Sequence, residues 1–309
     1  MKVQPLFELG MFSNNRIHAT LKKYAPETVV FTGEYGRTPN GTLPRWEIDT
    51  SCDAYIFHAT PSGDSYRKLF WGEKDWVVTL MEEVERKPNI ILFEPYTPPE
   101  RYPEWFTDKD IIQSYLKSDN FPEHPNLISY PMLGSGRWID EDIFYRKEDI
   151  GKNQGRILVS YDQLKRNLYE TISSMGHPLH ILGTSNQRFL GQMKENDTCG
   201  TIYPQDSDKL NDLYNTLDYA VNFQVVGFES WLVEARFCGV KCYYPDNAHY
   251  RSLFGDENVG FFDIEDIEGT LNLENNMTAS DIVYSRQKWG AEHRVPLFWE
   301  EVRSRIIPE

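Results

Sequence analysis

The chain has 309 residues, which at about 100–200 residues per domain predicts two domains. Its apolar fraction of 40% and aromatic fraction of 14% exclude a disordered protein, and no run approaches the ~18 apolar residues that span a bilayer. The formal charge of −15 excludes nucleic-acid binding over the whole surface, because such binding depends on neutralised phosphates, but it leaves room for a local basic cleft. Residues 1–5 do not resemble a signal peptide, so we expect a cytoplasmic protein with no membrane partner.

The first half alternates short β-branched runs with segments of helical length. Such alternation is typical of a parallel sheet with crossover helices. Strands are predicted at 27–32, 54–58, 89–94 and 126–130, and helices at 77–84 and 108–117. Prolines at 95, 98, 99 and 103 then place Glu94 at a strand end that opens a proline-rich loop.

A polar, glycine-containing interval at 134–155 is predicted to link two domains, 1–150 and 151–309. The alternation then restarts, with predicted strands at 156–161, 180–183, 200–203, 219–223 and 240–244, and helices at 164–175 and 209–217. A long final helix pattern at 284–305 is interrupted near Pro296. The expected fold class is α/β, with two Rossmann-like domains, a cleft between them and a terminal helix that returns to the first.

The run from 219 to 246 predicts a strand, a turn at Gly227, a helix carrying Glu234 that stops at Gly239, and a second strand. Such βαβ units bind ligands where the chain leaves the carboxyl end of the strand. Free backbone N–H groups and the helix dipole at the Gly227 turn favour an anion such as a diphosphate. Glu234 would repel a phosphate, so we expect it to meet the hydroxyls of a nucleotide ribose.

Two further segments contain candidate binding or catalytic residues. Ser160 and Tyr161 end the first predicted strand of the second domain, and Lys165 and Arg166 follow one turn later. The two basic side chains could bind a phosphate there, or they could form a solvated helix face. Glu94 lies where a general base would be placed, with burial raising its pKa toward neutrality; the alternative is an ion-paired carboxylate at a loop entrance.

The sequence gives no strong metal or cofactor signature. Asp206-Ser207-Asp208 has DxD spacing, but it precedes a predicted helix and is better explained by N-capping. The four cysteines of the chain lack CxxC spacing, so we expect them to be reduced and mostly buried. The absence of GxSxG, Walker A and GxGxxG sequences disfavours an α/β-hydrolase, a P-loop NTPase and a nicotinamide dehydrogenase.

The block Gly227-Phe228-Glu229, followed by Glu234-Ala235 and Gly239, resembles the donor-binding signature of GT-B glycosyltransferases. Retaining members of that class carry a second glutamate eight positions earlier, where this chain has Val226. The resemblance therefore implies donor-binding roles for Gly227, Phe228, Glu229 and Glu234, and the departure at Val226 points away from a retaining mechanism.

The chain also resembles the phage DNA β-glucosyltransferases, inverting GT-B enzymes that glucosylate 5-hydroxymethylcytosine from UDP-glucose. The resemblance implies that Glu94 is the catalytic base, that Glu234 binds the ribose and that Arg166 binds the diphosphate. Two further arginines of that family fall at Asp162 and Trp231, so diphosphate binding must be built differently here. The matching segments occur in the same order along the chain: 56–60, 91–94 with its proline-rich loop, 159–161 with Arg166, the helix of Glu234, 243–246 and 249–251.

The expected function is inverting transfer of a sugar, with glucose favoured, from a UDP-sugar to a hydroxyl acceptor. The favoured acceptor is a 5-hydroxymethylpyrimidine in double-stranded phage DNA, in the host cytoplasm if the gene is a phage's. No cofactor is expected to be tightly bound; a divalent metal ion is compatible with this chemistry but not required. The alternatives are a glycan or small-molecule acceptor, a non-catalytic nucleotide-sugar-binding protein, and a sugar-nucleotide epimerase.

Overall fold

The computed structural model describes twelve stretches of the chain, which contain two parallel β-sheets. These stretches are residues 1–6, 19–32, 49–59, 89–93, 111–114, 127–129, 138–152, 155–164, 166–183, 187–200, 207–225 and 229–306. Contacts divide the chain into two compact units, Met1–Trp138 with Ala291–Glu309, and Ile139–Gly290. None of the described helices is long and apolar enough to cross a lipid bilayer.

The first unit contains a sheet of six parallel strands in the order β2-β1-β3-β4-β5-β6. The strands are β1 (Lys2–Leu6), β2 (Val30–Phe31), β3 (Ala54–Ala59), β4 (Asn89–Phe93), β5 (Ile111–Ser114) and β6 (Leu127–Ser129). The sequence-based predictions of β3, β4 and β6 are confirmed. The predicted helix at 77–84 lies outside the described residues.

Two elements of this sheet differ from the sequence-based prediction. Residues 108–117 were predicted as helix, but Ile111–Ser114 forms β5, which pairs with β4 and β6. The adjacent β-branched residues Ile111 and Ile112 fit a doubly paired strand, and this pairing overrides the local helical pattern. Strand β1 was not predicted, and it lies between β2 and β3 although Pro5 lacks the N–H group that a residue in a central strand donates.

The second unit contains another sheet of six parallel strands, in the order β12-β11-β10-β7-β8-β9. The strands are β7 (Ile157–Ser160), β8 (Leu179–Leu182), β9 (Thr198–Gly200), β10 (Tyr219–Val221), β11 (Lys241–Pro245) and β12 (Gly260–Phe262). The labelled helices are α1 (Arg166–Ser174), α2 (Gln187–Leu190), α3 (Ser207–Thr216), α4 (Ser230–Phe237), α5 (Ala248–Phe254), α6 (Ile267–Thr270), α7 (Ala279–Trp289) and α8 (Ala291–Ile306).

The second sheet has the strand order of the doubly wound Rossmann fold. Counted from β7, its order is 3-2-1-4-5-6, and it reverses direction between β7 and β10. The first sheet instead begins 2-1-3-4, so its reversal lies between β1 and β3. In such sheets, ligands bind outside the carboxyl ends of the strands at the reversal.

Helix α8 completes the core of the first unit. Its buried residues Val295, Phe298 and Trp299 pack in one cluster with Val3 and Ile56 of the first sheet. The sequence pattern placed an interruption near Pro296, but the helix runs through Pro296 and the break lies at Gly290, where the backbone is extended between α7 and α8. Pro296 is in the second turn of α8, so the carbonyl that loses its partner belongs to the first turn.

The interval predicted as a linker contributes to the second unit. Phe144 is buried, and its ring centroid lies 5.9 Å from that of Tyr214 on α3. The Arg286 guanidinium on α7 donates hydrogen bonds to the backbone carbonyls of Glu141 and Phe144, each at 3.2 Å. Residues 139–150 therefore lie with the second unit rather than with the first.

An ion pair joins Arg236 of α4 to Glu257, and both side chains are fully buried. The Arg236 Nη1 atom lies 2.5 Å from Glu257 Oε2, a close pair of charges without well-aligned hydrogen-bond geometry. Glu257 also accepts hydrogen bonds from Ser285 Oγ (2.9 Å) and Trp289 Nε1 (2.8 Å) of α7. Burial disfavours the charged guanidinium, but the negative charge of Glu257 helps to outweigh it, and the pKa of Arg236 is raised.

Candidate functional site

The candidate site lies at the carboxyl edge of the second sheet, where the strand order reverses. A 3-10 turn, Tyr161–Gln163, follows β7, and residues 222–225 follow β10. Helix α5 follows β11 at the same edge. Because all these strands are parallel, their carboxyl ends meet at one edge, and the connections after β7 and β10 flank the reversal point.

A hydrogen bond spans the reversal point itself. The side-chain oxygen Oε1 of Gln163 accepts a hydrogen bond from the backbone N–H of Phe223 at 2.9 Å. This contact joins the turn after β7 to the segment after β10. Both side chains are buried, with Gln163 8% and Phe223 7% exposed.

Asn222 and Asn247 fix the segment that leads from β10 toward α4. The Asn222 side chain donates to Tyr250 Oη at 2.8 Å and to the Gln224 carbonyl at 3.3 Å. Asn247 caps α5, because its Oδ1 accepts from the backbone N–H of Tyr250 at 2.9 Å, and its Nδ2 donates to the Val225 carbonyl at 2.9 Å. These contacts anchor residues 222–225 to α5.

Glu234 lies in the interior of the second unit. It is on α4 as predicted, is 1% exposed, and its Oε2 accepts a hydrogen bond from Tyr214 Oη of α3 at 3.0 Å. Helix α4 is followed by Gly239 in the left-handed region, with φ of 81°, which confirms the predicted stop. The predicted contact of Glu234 with a ribose stays a prediction.

Three other predicted site residues have described side chains. Ser160 is the last residue of β7 and is buried, whereas Tyr161 is half-buried with its ring centroid 5.0 Å from that of Phe189 on α2. Glu229 is the N-cap of α4, and its Oε2 accepts a hydrogen bond from Trp231 Nε1 at 3.0 Å. Ser160 and Tyr161 therefore share the edge after β7 with Gln163.

The remaining predicted residues cannot be placed at the site. Arg166 begins α1, but its side chain is outside the described part of the structure. The other four lie outside the described residues altogether: Glu94, Lys165, Gly227 and Phe228.

A charged pair stands at the end of β11. The Arg251 guanidinium donates to Asp246 through Nε at 2.7 Å and through Nη2 at 2.8 Å, and it lies 4.1 Å from the ring centroid of Phe261. These hydrogen bonds lower the pKa of the Asp246 carboxyl and raise that of Arg251. The Arg251 guanidinium is therefore already paired with Asp246.

The described residues offer no cluster of three or more His, Cys, Asp or Glu side chains that could hold a metal ion. All four cysteines are free thiols, and Cys52, Cys238 and Cys242 are buried. Burial raises the pKa of Cys242 to about 12 and also raises that of Cys238. The expectation that most of the cysteines are buried is confirmed.

Together, the two parallel sheets define the GT-B fold, the architecture of many glycosyltransferases. Among solved structures, AviGT4, a glycosyltransferase involved in avilamycin A biosynthesis, matches with a TM-score of 0.60 and 12% identity over 100% of this chain and 99% of that one. HepE from Anabaena in complex with UDP-glucose matches with a TM-score of 0.61 and 9% identity over 98% of this chain and 100% of its own.

A third structure, sucrose-phosphate synthase from Thermosynechococcus elongatus, matches with a TM-score of 0.51 and 11% identity over 81% of this chain and 67% of its own. No protein-family model matches the chain, and no curated protein matches it in sequence. At these identities, the likeness shows the fold.

Proposed function

We propose that this protein is a glycosyltransferase that takes its sugar from a UDP-sugar. The observation that carries the proposal is strand β10 followed along the chain by helix α4, beside the strand reversal of a GT-B sheet. The solved structure of HepE, which has the same fold, holds UDP-glucose. Glu234 on α4 is the group that we assign to the ribose hydroxyls.

The proposed reaction inverts the sugar carbon, with glucose as the favoured sugar. Glu94 takes the proton of the acceptor hydroxyl, whose oxygen forms the new bond to the anomeric carbon as the bond to UDP breaks. Lys165, Arg166 and the Gly227 turn stabilise the negative charge on the departing UDP. The first unit binds the acceptor and the second binds the donor.

For the acceptor, we favour a hydroxymethylated pyrimidine in double-stranded DNA. The nucleobase would be turned out of the stack so that its hydroxyl group reaches Glu94, the proposed catalytic base. We assign such DNA to the first unit, because that unit has the smaller excess of acidic residues. That unit has 18 Lys and Arg against 23 Asp and Glu, whereas residues 139–290 have 14 against 24. A glycan or small-molecule acceptor is the second candidate, because neither unit is basic overall.

The test of the proposal is UDP release from UDP-glucose, measured with and without acceptor. Release that requires an acceptor supports a transferase. Consumption of UDP-glucose without any acceptor supports an epimerase instead, and binding of UDP-glucose without turnover supports a non-catalytic binding protein. Hydroxymethylated DNA, unmodified DNA and free glycans serve as the compared acceptors.

Replacing Glu234 with Ala is expected to weaken UDP binding by roughly tenfold to a hundredfold, because a hydrogen bond to a charged group contributes ~1.5–3 kcal/mol. Calorimetric titration with UDP measures the change. The matched control is Tyr214→Phe, which removes the 3.0 Å hydrogen bond to Glu234 but leaves the carboxylate in place. If both variants are destabilised and both bind UDP as the wild type does, Glu234 has only a structural role.

Binding of hydroxymethylated DNA is expected to weaken steeply as salt is added, with each phosphate contact contributing ~0.9 to the slope of log K against log salt. A mobility-shift titration at several salt concentrations gives this slope. No DNA binding at low salt, together with transfer to a free glycan, favours the second acceptor. The candidate phosphate contacts lie outside the described residues: Arg37, Arg45, Arg67, Lys68, Arg101 and Arg137.

A further inference from the structure

Within the described part of the chain, one end of the Gln163 carboxamide forms a hydrogen bond and the other end does not. Its Oε1 accepts the hydrogen bond from Phe223 N–H across the reversal point, and this contact fixes which end of the amide faces which way. The other end, Nε2, is buried and has no hydrogen-bond partner among the residues that the structure describes. The residue as a whole is 8% exposed.

A buried donor without a partner is unfavourable, so its presence requires an explanation. Gln163 lies in the turn between β7 and α1, which is the first strand-to-helix connection of a Rossmann sheet. In doubly wound sheets, that connection faces bound phosphate groups. An NH₂ group donates only, so its natural partner is an acceptor such as a phosphate oxygen.

We propose that Gln163 is a ligand-binding residue of the donor site and that its Nε2 donates a hydrogen bond to the diphosphate of the UDP-sugar. This inference rests on the proposed function. It adds to that function an uncharged hydrogen-bond donor. This donor follows β7, whereas the predicted turn at Gly227 follows β10 on the other side of the reversal point. The same side chain, through Oε1, holds the backbone of Phe223 in place for the bound ligand.

Two substitutions separate the two ends of the amide. Gln163→Glu keeps an oxygen that accepts from Phe223 N–H but replaces the donor with a second oxygen, which repels phosphate. Gln163→Met removes both hydrogen-bonding ends without adding charge. Gln192→Glu adds the same charge at an exposed position after α2 and is the matched control.

Calorimetric titration with UDP and thermal unfolding are measured for all four proteins. Gln163→Met is expected to lose roughly tenfold to a hundredfold in UDP affinity, the effect of losing a hydrogen bond to a charged group. Gln163→Glu is expected to lose at least as much UDP affinity, because its second oxygen repels the phosphate, and to melt below the wild type, because it places a carboxylate at a buried position. Gln192→Glu is expected to bind UDP within about twofold of the wild type.

The outcomes distinguish the inference from the function on which it rests. If the wild type does not bind UDP, the proposed donor and this inference both fail. If the wild type binds UDP and Gln163→Met binds it within twofold, the inference alone fails. Should Gln163→Met not fold, Gln163→Glu decides: a folded variant with unchanged UDP affinity overturns the assignment.

Discussion

Glu94→Gln is expected to slow sugar transfer by about 10²–10⁴, because glutamine preserves the shape of the side chain but cannot accept the acceptor's proton. The binding of UDP is expected to stay nearly unchanged, since Glu94 belongs to the first unit and we assign the donor to the second. Lowering the pH is expected to act in the same direction, because protonation of the carboxylate removes the base.

The measurement is acceptor-dependent UDP release at saturating donor. The matched control is Glu100→Gln, which makes the same change later in the proline-rich segment and is expected to leave the rate within about twofold. A Glu94→Gln rate within threefold of the wild type rules out Glu94 as the base.

The structure ranks the other carboxylates that would then be tested. Asp53 immediately precedes β3 and accepts a hydrogen bond from the backbone N–H of Lys2 at the start of β1, so it lies at the amino edge of the first sheet. Asp49 forms an ion pair with Lys2, and hydrogen bonds from Lys2 and Ser51 lower its pKa to about 2. An amino-edge position and a low pKa both disfavour a general base, so Glu34 is the next candidate.

Glu257→Gln is expected to reduce the free energy of unfolding by about 3–5 kcal/mol, because it leaves the Arg236 guanidinium buried without its counter-charge. For a unit of this size, such a loss corresponds to a fall in melting temperature of roughly 6–20 °C. Thermal unfolding followed by circular dichroism measures it. UDP affinity of the folded fraction is expected to change little.

Three further variants test the origin of this effect: Asp246→Asn, Arg236→Met alone, and Arg236→Met combined with Glu257→Gln. Asp246→Asn breaks an exposed ion pair with Arg251 and is expected to lower the melting temperature much less than Glu257→Gln does. Arg236→Met combined with Glu257→Gln removes both charges, and it is expected to be less destabilised than the sum of the two single variants. A Glu257→Gln variant that melts with the wild type would show that the buried pair contributes no net stability.

Most strands of the two sheets could be predicted from the sequence. Strands with β-branched runs, such as β3, β4 and β7, were found because a buried parallel strand is apolar on both faces and needs no long-range information. Strand β5 was misassigned and β1 was missed, because their neighbours in the sheet, which decide their state, are distant in sequence. Local propensity cannot report those pairings.

For the site, the sequence pointed to charged residues and to glycine. Three uncharged side chains, Gln163, Asn222 and Asn247, also form polar contacts at the carboxyl edge, and nothing distinguishes them from other loop residues until the strand order is known. One signal was available: an asparagine or glutamine within three residues of a predicted strand end. The strand order is needed to recognise which of these residues lie beside the reversal between β7 and β10.

The place of α8 in the first unit has a consequence for synthesis on the ribosome. Strands β1 to β6 are complete by Ser129, but the helix that buries Val3 and Ile56 is made only after residues 139–290. At ~5–20 residues per second, that interval lasts on the order of ten seconds. The second unit can therefore fold first, while the nascent first sheet keeps an uncovered apolar face that chaperones recognise.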